Sequence, residues 1–453
     1  MAFTFGSNRK LYKSLGESGA EFLEYGLNAI TRVLPHIETA DWQISTYEPT
    51  RVTWASTDRR ELNFVVGLKL DPSSDANYSV RGVVRRRGAA KSRTLDTREQ
   101  DICKKVAEKL TQILGPQSAN GSESLAAIRT AFDERIVAAH LKSHHKLEID
   151  PGKLFSKLRT LAEQTYENKS LTFGCILDPE KEEAAQLDAM FPDDFLTRKK
   201  YRALSDGYRT AYVVSKYGTL IEFIALESND VNRSEKVFFP EWCRDLALMS
   251  RGTRIGICLT KHGDLLVLDG GNLRFTYRFG QWQYWNHAHL INLLHDAARV
   301  QRVPKEIIPR VIRSVYRAAL DVSFRRSGGL FVLLRNSQQI RQLVREGDSI
   351  NDGKRLPLDR QFDKALPSAA IQNMPRSLVV ELASLDGAIV LNNKGELLAY
   401  GTVLEPKRHG RIAQAEGSRT KAAIGASKYG MAVKISSDGD ITVFVNGEKF
   451  IQV

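Results

Sequence analysis

The sequence predicts a protein of the α/β class. A C-terminal α/β domain, with a mixed sheet flanked by helices, follows N-terminal and middle domains of the α+β type. The chain has 453 residues, of which 42% are hydrophobic, and this is enough for several domains with real cores. Helical and strand-like patterns alternate over the last third, and glycine turns separate strand-like runs in the middle. The sequence shows no internal repeat.

The first predicted domain comprises residues 1–116. Apolar residues at helical spacing predict a helix from residue 18 to residue 34. Strand-like runs follow at 52–54, 62–70 and 78–84. A second amphipathic helix ends at Gly115-Pro116, which is a strong stop signal. The small, polar residues 117–124 then predict a linker.

The second predicted domain comprises residues 125–300. It begins with two helical patterns, followed by a hairpin around the turn 216–219. Four strand-like runs between residues 254 and 285 are separated by glycine turns, which predicts an antiparallel meander. A helix through residues 290–297 closes this domain.

The third predicted domain comprises residues 305–453. A helix over 307–325 leads through Gly328-Gly329 into an apolar strand. Helices are predicted near residues 340–345, over 378–385 and over 419–427. Strands are predicted at 388–391, 397–404, 432–436 and 441–445, and a basic loop lies at 407–411. A unit of this size and pattern is typical of a compact α/β domain.

Charge and cysteine content narrow the class of protein. The net charge of +13 favours encounters with anions such as nucleotides or nucleic acid. The four cysteines include no CxxC pair, so we expect no disulfide framework or cysteine zinc site, and a reducing compartment fits best. Without an apolar leader or an apolar run of about 18–20 residues, we expect a cytoplasmic protein that does not contact a membrane.

A lone carboxylate precedes an apolar strand at Asp386-Gly387-Ala388. Glycine there allows a ligand to approach the backbone, and aspartate binds hard divalent cations through oxygen. The structural interpretation is that Asp386 serves the turn by bonding its own backbone. The tripeptide alone favours this structural interpretation.

A cationic turn lies about thirty residues later, at Gly417-Ser418-Arg419-Thr420-Lys421. It comes just before an alanine-rich stretch that favours a helix. The free amides and positive dipole end of a helix attract phosphate. Arg419 can fork onto phosphate oxygens, and Lys421 adds a point charge. Ser418 or Thr420 can cap the helix or bond a phosphate. The alternative is a capped surface helix with solvated cations.

Four elements of the last third, in this order along the chain, resemble the nucleotide-binding domain of diadenylate cyclases, the family typified by the DNA-integrity-scanning protein DisA. They are a helix-to-strand junction, an Asp-Gly-Ala turn, a strand ending in a small-residue turn, and a Gly-Thr-Arg-His-Arg-Ala-Ala signature. Their counterparts here are Ser327–Val332, Asp386-Gly387-Ala388, Leu397–Gly401 and Gly417–Ala423. The resemblance covers residues 310–453. The preceding part resembles, more loosely, sensor regions fused ahead of such cyclases. It contains Asp206-Gly207, for which the favoured interpretation is the entry to a hairpin.

The resemblance implies an activity and a set of site residues. Two such domains face each other, each holding one ATP, and the condensation yields cyclic di-AMP and pyrophosphate, so self-association is needed. Catalytic roles fall to Asp386, Arg419 and Lys421. Mg²⁺ or Mn²⁺ would be held by Asp386 and Asp438. Nucleotide binding falls to Gly387, Ala388, Gly417, Ser418, Thr420, Gly329 and Leu330.

Three departures from the family pattern support an alternative function. Thr420 stands where the family has histidine, Lys421 where it has a second arginine, and Ser436-Ser437-Asp438 where it has Ser-Glu-Glu. These changes favour a catalytically degenerate sensor that binds an adenine nucleotide without turning it over. The intact Asp386-Gly387-Ala388 favours the enzyme.

Other candidate sites have weaker support from the sequence. The basic run Arg85–Arg93 could contact nucleic acid, although a solvated loop is favoured. His287-Ala288-His289 has no third metal ligand nearby in the sequence, and His144-His145 is predicted to be solvated. The aromatic residues of the meander could stack bases, but their strand spacing is more typical of a core.

Overall fold

The chain divides into two compact units. A computed structural model describes residues 9–47, 62–69, 77–86, 95–114, 125–181, 193–227, 237–300, 308–350, 352–406 and 417–452. Unit 1 comprises Met1–Val237 and Trp242–Trp285, and unit 2 comprises Phe238–Glu241 and Asn286–Val453. The predicted strand at 52–54, the predicted linker at 117–124, residues 87–93 of the basic run and the basic loop 407–411 lie outside the described residues.

The helices described in unit 1 flank its strands, and some of them begin at recognisable sequence signals. For example, the fourth helix starts after Asp150, whose carboxylate accepts a hydrogen bond from the Gly152 amide, and Pro151 fills the first helical position. The α-helices are α1 (Arg9–Val33), α2 (Thr97–Leu114), α3 (Leu125–His145), α4 (Pro151–Ala162), α5 (Asp193–Thr197), α6 (Lys199–Leu204) and α7 (Arg244–Met249).

The strands of unit 1 form two main sheets and a short two-stranded ribbon of β4 and β5. The first sheet has the antiparallel order β1-β3-β2, and the second has the order β12-β11-β10-β9-β6-β7-β8. In the second sheet β6 and β7 are parallel, and the other neighbours are antiparallel. The strands are β1 (Ile37–Tyr47), β2 (Leu62–Lys69), β3 (Asn77–Arg86), β4 (Thr165–Tyr166), β5 (Lys169–Ser170), β6 (Phe173–Asp178), β7 (Thr210–Ser215), β8 (Leu220–Ala225), β9 (Ile255–Leu259), β10 (Leu265–Asp269), β11 (Asn272–Arg278) and β12 (Gln281–Tyr284).

One hydrophobic cluster joins the two parts of unit 1 that the sequence predicts as separate domains. It contains Phe22 and Leu110 from the first part and Phe155 and Trp282 from the second. The predicted division of the chain into three domains stays a prediction. All four cysteines are buried.

Unit 2 contains one mixed sheet flanked by helices. Its helices are α8 (His287–Val300), α9 (Ile308–Arg325), α10 (Pro357–Ala365), α11 (Arg376–Ala383) and α12 (Ser418–Ala426). Its strands are β13 (Gly329–Leu334), β14 (Ala388–Leu391), β15 (Leu397–Thr402), β16 (Gly430–Ile435), β17 (Ile441–Val445) and β18 (Glu448–Gln452). The strand order is β15-β14-β13-β16-β17-β18, with only β13 and β14 parallel.

The two large sheets share one topology. In each, a central strand (β6 or β13) is followed in sequence by a parallel neighbour (β7 or β14) and then by that neighbour's hairpin partner (β8 or β15). A short helix, α7 or α12, returns the chain to the other side of the central strand, where an antiparallel meander begins. Unit 1 adds β12 to this plan. The sequence does not show the repeat because many different apolar segments can satisfy the same order and direction of strands.

At the level of fold class the sequence prediction is confirmed, since the protein is mixed α/β with two mixed sheets flanked by helices. Local differences remain. The helix predicted near residues 340–345 is a 3-10 segment, Ser337–Gln342, and α10 and β18 have no counterpart in the prediction. Among the described helices, none combines the length and the apolar character that crossing a bilayer requires.

Candidate active site

The predicted site residues of unit 2 gather at one end of its sheet. Because β13 and β14 are parallel while β16 runs against β13, the starts of β13 and β14 lie at the same end as the last residues of β16. Gly329 pairs with Ile435 there, and Ala388 pairs with Thr402. This shared end of the sheet is the candidate site.

The backbone of Gly387 fixes the start of β14. Its φ of +147° is unfavourable for other residues, and a Cβ would lie 2.4 Å from both the Gly401 carbonyl carbon and the Thr402 nitrogen. The chain therefore passes close to β15 at this point. Asp386, one residue earlier, is fully exposed, and its carboxylate makes no hydrogen bond within the part of the chain that the structure describes.

Arg419 points towards Asp386 across this end of the sheet. Its Nη2 atom lies 3.9 Å from Asp386 Oδ1, and its side chain is one-third exposed. Gly328 leaves room for the guanidinium, because a Cβ there would lie 2.6 Å from Arg419 Nη1. An ion pair this exposed contributes little to stability.

Helix α12 begins without a side-chain cap. Gly417 occupies the N-cap position, and its carbonyl accepts hydrogen bonds from the amides of Thr420 and Lys421. The expectation that Ser418 or Thr420 caps the helix is therefore wrong, because both lie inside the first turn. Gly417 and Ser418 are exposed, and Lys421 is half-buried.

The Thr420 hydroxyl has a partner that the sequence did not suggest. Lys434 Nζ, from β16, donates to Thr420 Oγ1 at 2.9 Å. Lys434 therefore adds a third cation near the start of α12, beside Arg419 and Lys421. The available signal was a lysine within an otherwise apolar strand, which is unusual at a half-buried sheet position.

The remaining predicted nucleotide-binding residues differ in what they can offer. Leu330 and Ala388 are buried in the hydrophobic cluster of unit 2, so only their backbone could touch a nucleotide. Gly329 is also buried, and its position is crowded, because a Cβ would lie 3.0 Å from the Ala383 carbonyl oxygen.

Oxygen ligands for a hard cation are present at this end. Asp438 is exposed in the turn that follows β16, and Asp386 precedes β14. Carboxylate oxygens are the donors that Mg²⁺ and Mn²⁺ prefer.

Tyr400, next to Gly401, cannot act as a base at this end. Its hydroxyl donates to Asp363 Oδ1 at 2.7 Å, and Arg355 also binds Asp363. Burial and the hydrogen bond to Asp363 raise the pKa of Tyr400 to about 12. The phenol therefore stays neutral at physiological pH.

The other candidates from the sequence make structural contacts, as far as they lie within the described residues. His287 Nδ1 and the Tyr316 hydroxyl lie 2.8 Å apart in the core of unit 2. Arg85 pairs with Glu38, and Arg86 pairs with buried Glu99, so these two residues of the basic run are engaged within unit 1. The meander aromatics Phe275, Trp282, Tyr284 and Trp285 are buried, in agreement with the core interpretation, whereas Tyr277 is half-buried and Phe279 is exposed.

The prediction that His144-His145 is solvated is wrong for one of the two residues. His145 is buried, whereas His144 is exposed. Helix α3 ends at His145. One face of its last turn packs against the rest of unit 1, and the other face is exposed to solvent.

Comparisons with known proteins give partial likenesses. No protein-family model matches the chain, and no curated protein matches it. Among solved structures, a double mutant of DacA, a diadenylate cyclase from Staphylococcus aureus, matches 31% of this chain and 86% of its own, with 22% identity and a TM-score of 0.21. A hypothetical membrane spanning protein from Bacillus cereus matches 36% of this chain and 74% of its own, with 20% identity and a TM-score of 0.25.

Proposed function

We propose that this chain is a diadenylate cyclase-like nucleotidyltransferase that condenses two ATP into cyclic di-AMP, with its N-terminal region regulating the reaction. One observation supports this most directly. An exposed carboxylate, Asp386, and a guanidinium, Arg419, lie 3.9 Å apart at the end of the sheet where Gly328 makes room for the guanidinium. The pair combines an acidic group for a cation with a basic group for phosphate.

The cationic side chains have a defined part in this chemistry. In each condensation the 3′-oxygen of one ATP forms a bond to the α-phosphorus of the other, the bond to pyrophosphate breaks, and the hydroxyl proton is released. Arg419 can bind the departing phosphates in a bidentate manner, and Lys421 can add a point charge. Lys434 holds Thr420 in place beside them. Fixed positive charge stabilises the negative charge that builds up in the transition state.

A divalent ion completes the proposed site. Asp386 and Asp438 would hold Mg²⁺ or Mn²⁺, which would lower the pKa of the attacking hydroxyl and offset phosphate charge. Both carboxylates are exposed, so an ion can reach them from solution.

One copy of this site holds half of the reactants. The full exposure of Asp386 leaves it accessible to a nucleotide carried by another molecule. We therefore propose that two copies of the chain bring their sites face to face for the reaction.

A nucleotide sensor without turnover is the second candidate. Arg419 lies close enough to Asp386 to compete with a metal ion for its carboxylate. Such competition would weaken metal binding while leaving the cations of α12 available to phosphate.

The experiment that separates the two functions measures turnover and binding in parallel. The full chain is incubated with ATP and Mn²⁺ or Mg²⁺, products are resolved by mass, and ATP affinity is measured by calorimetry. Cyclic di-AMP formed by the wild type but lost in Asp386→Asn establishes the enzyme. Glu381→Gln is a matched control, because Glu381 is another exposed carboxylate of unit 2 that pairs with an arginine, Arg325.

Two other results would contradict the enzyme. ATP binding without any product supports the sensor. Neither binding nor product would remove both candidates.

A further inference from the structure

Three potential metal ligands converge in unit 1, on elements that carry none of the proposed active-site residues. His144 and His145 are the last residues of α3, and Asp269 is the last residue of β10. One nitrogen of each imidazole and one carboxylate oxygen all lie within 4.8 Å of one another. In the part of the chain that the structure describes, this is the group of three His, Cys, Asp or Glu side chains with that property.

His145 is oriented as a metal ligand would be. Its Nδ1 atom lies 3.1 Å from the carbonyl oxygen of Thr253, and a carbonyl only accepts, so Nδ1 carries the proton. In the neutral ring, Nε2 then presents a lone pair. This atom is buried and lies 3.5 Å from Asp269 Oδ2, and it makes no other polar contact in the part of the chain that the structure describes. Metal-binding histidines characteristically donate their other N–H to a backbone carbonyl in this way.

We propose that His144, His145 and Asp269 bind one divalent transition-metal ion, for which Zn²⁺ is the best match. Imidazole ligands suit Zn²⁺, whereas Mg²⁺ prefers oxygen. In a tetrahedral zinc site, with bonds of about 2.0–2.2 Å, two ligand atoms lie roughly 3.4 Å apart. The 3.5 Å separation of His145 Nε2 and Asp269 Oδ2 matches this value. Three protein ligands leave a fourth position for water beside exposed His144.

Arg98 determines how tightly the ion binds. Its Nη2 atom lies 2.8 Å from Asp269 Oδ2 and 3.4 Å from His144 Nε2. Without metal it neutralises the buried carboxylate, and it must move aside when a cation binds. Arg98 is therefore a competitor, and its removal should strengthen metal binding. If the cluster were only a structural ion-pair network, removing Arg98 would leave a buried negative charge and create no metal affinity.

The test is a zinc titration of the full chain after treatment with a chelator, followed by calorimetry. We expect one Zn²⁺ per chain. His144→Ala, at an exposed position, and Asp269→Asn, which keeps the side-chain shape, should each weaken binding by at least about tenfold. Arg98→Gln should strengthen it severalfold. His295→Gln, in unit 2, should leave the affinity unchanged.

Two further readouts keep the result interpretable. Circular dichroism melting shows whether each variant is folded, and Co²⁺ in place of Zn²⁺ reports a tetrahedral nitrogen and oxygen environment by its visible absorption. The proposal is overturned if neither the wild type nor Arg98→Gln shows saturable Zn²⁺ binding. It is also overturned if folded Asp269→Asn binds as the wild type does, or if Arg98→Gln binds more weakly.

Discussion

Two Asp-Gly turns, one in each large sheet, use their aspartates in opposite ways. In unit 1, Asp206 Oδ1 accepts hydrogen bonds from the backbone amides of three following residues, at 2.9, 2.6 and 3.1 Å. In unit 2, Asp386 makes no hydrogen bond within the described residues and is fully exposed. Both turns lead into the strand that lies parallel to the central strand. The same dipeptide thus serves the backbone in one sheet and leaves its carboxylate accessible in the other.

The packing of the glycine accounts for the difference. In unit 1 the turn closes against β6, where a Cβ on Gly174 would lie 2.2 Å from Gly207 Cα. In unit 2 Gly387 packs against Gly401 on β15 instead, and Asp386 stays outside the contact. The carboxylate of an Asp-Gly turn is therefore accessible to other groups only where no backbone amides lie within its reach.

The largest effect should come from Asp386→Asn. We expect turnover to fall by about a hundredfold or more, because the substitution removes a charge that would hold the divalent ion. The melting temperature should not change, since Asp386 forms no hydrogen bond in the described structure. Turnover of ATP and thermal unfolding of the same preparation test both statements. A clear loss of stability would show that this turn resembles the one at Asp206 after all.

The second effect concerns stability alone. Asp206→Ala deprives three backbone amides of their acceptor and should lower the free energy of unfolding by about 2 kcal/mol. Asp206→Asn, which keeps an acceptor oxygen, should cost less than about 1 kcal/mol. Neither variant should change the turnover of ATP per folded molecule. Urea unfolding measures the difference, and equal stabilities of the two variants would contradict the role of Asp206 as an acceptor.

The third prediction tests the space beside Arg419. Gly328→Ala places a Cβ 2.6 Å from Arg419 Nη1 at a residue whose φ is +69°. The guanidinium must move, and we expect turnover to fall by about tenfold, with a strain of about 1–2 kcal/mol. Gly252→Ala is a matched control for strain, because Gly252 also has a positive φ but no atom lies within 4 Å of its Cβ position. Equal turnover in both variants would show that Arg419 does not need this space.

The smallest effect should come from Lys434→Met. This change removes the hydrogen bond to Thr420 and one cation, and we expect ATP affinity to fall by about threefold. Lys434→Arg should recover part of the affinity. The loss should shrink as salt is raised, because charge contributes to the effect. A change in affinity that is independent of salt would indicate a purely structural role.

The candidate site was partly predictable from the sequence because its charged residues are close to glycines in the chain. Asp386 is a candidate because it precedes a strand, and Arg419 because it lies where a helix begins. In the structure, Arg419 Nη2 lies 3.9 Å from Asp386 Oδ1. Gly328 and Lys434 were missed as partners of Arg419 and Thr420. Their importance arises from contacts between segments that are 91 and 14 residues apart, and no local pattern encodes such contacts.

The fold was predictable from the sequence to a similar extent. The strands of the meander are confirmed because each has a glycine turn and apolar residues at strand spacing. The parallel pairing of β6 with β7 was not predicted, since β6 is buried throughout and its apolar run does not distinguish strand from helix. The shared strand order of the two sheets became visible only from pairing.

A chain that carries two sheets of the same strand order faces a hazard while it folds. A hairpin of one sheet could add to the central strand of the other, which is a typical misassembly of multidomain and repeat proteins. In unit 1 the contact between Gly174 and Gly207 makes the native pairing tight, because any side chain at either position would collide with the facing segment. These two glycines thus leave no room for a side chain where β6 meets the segment that leads into β7.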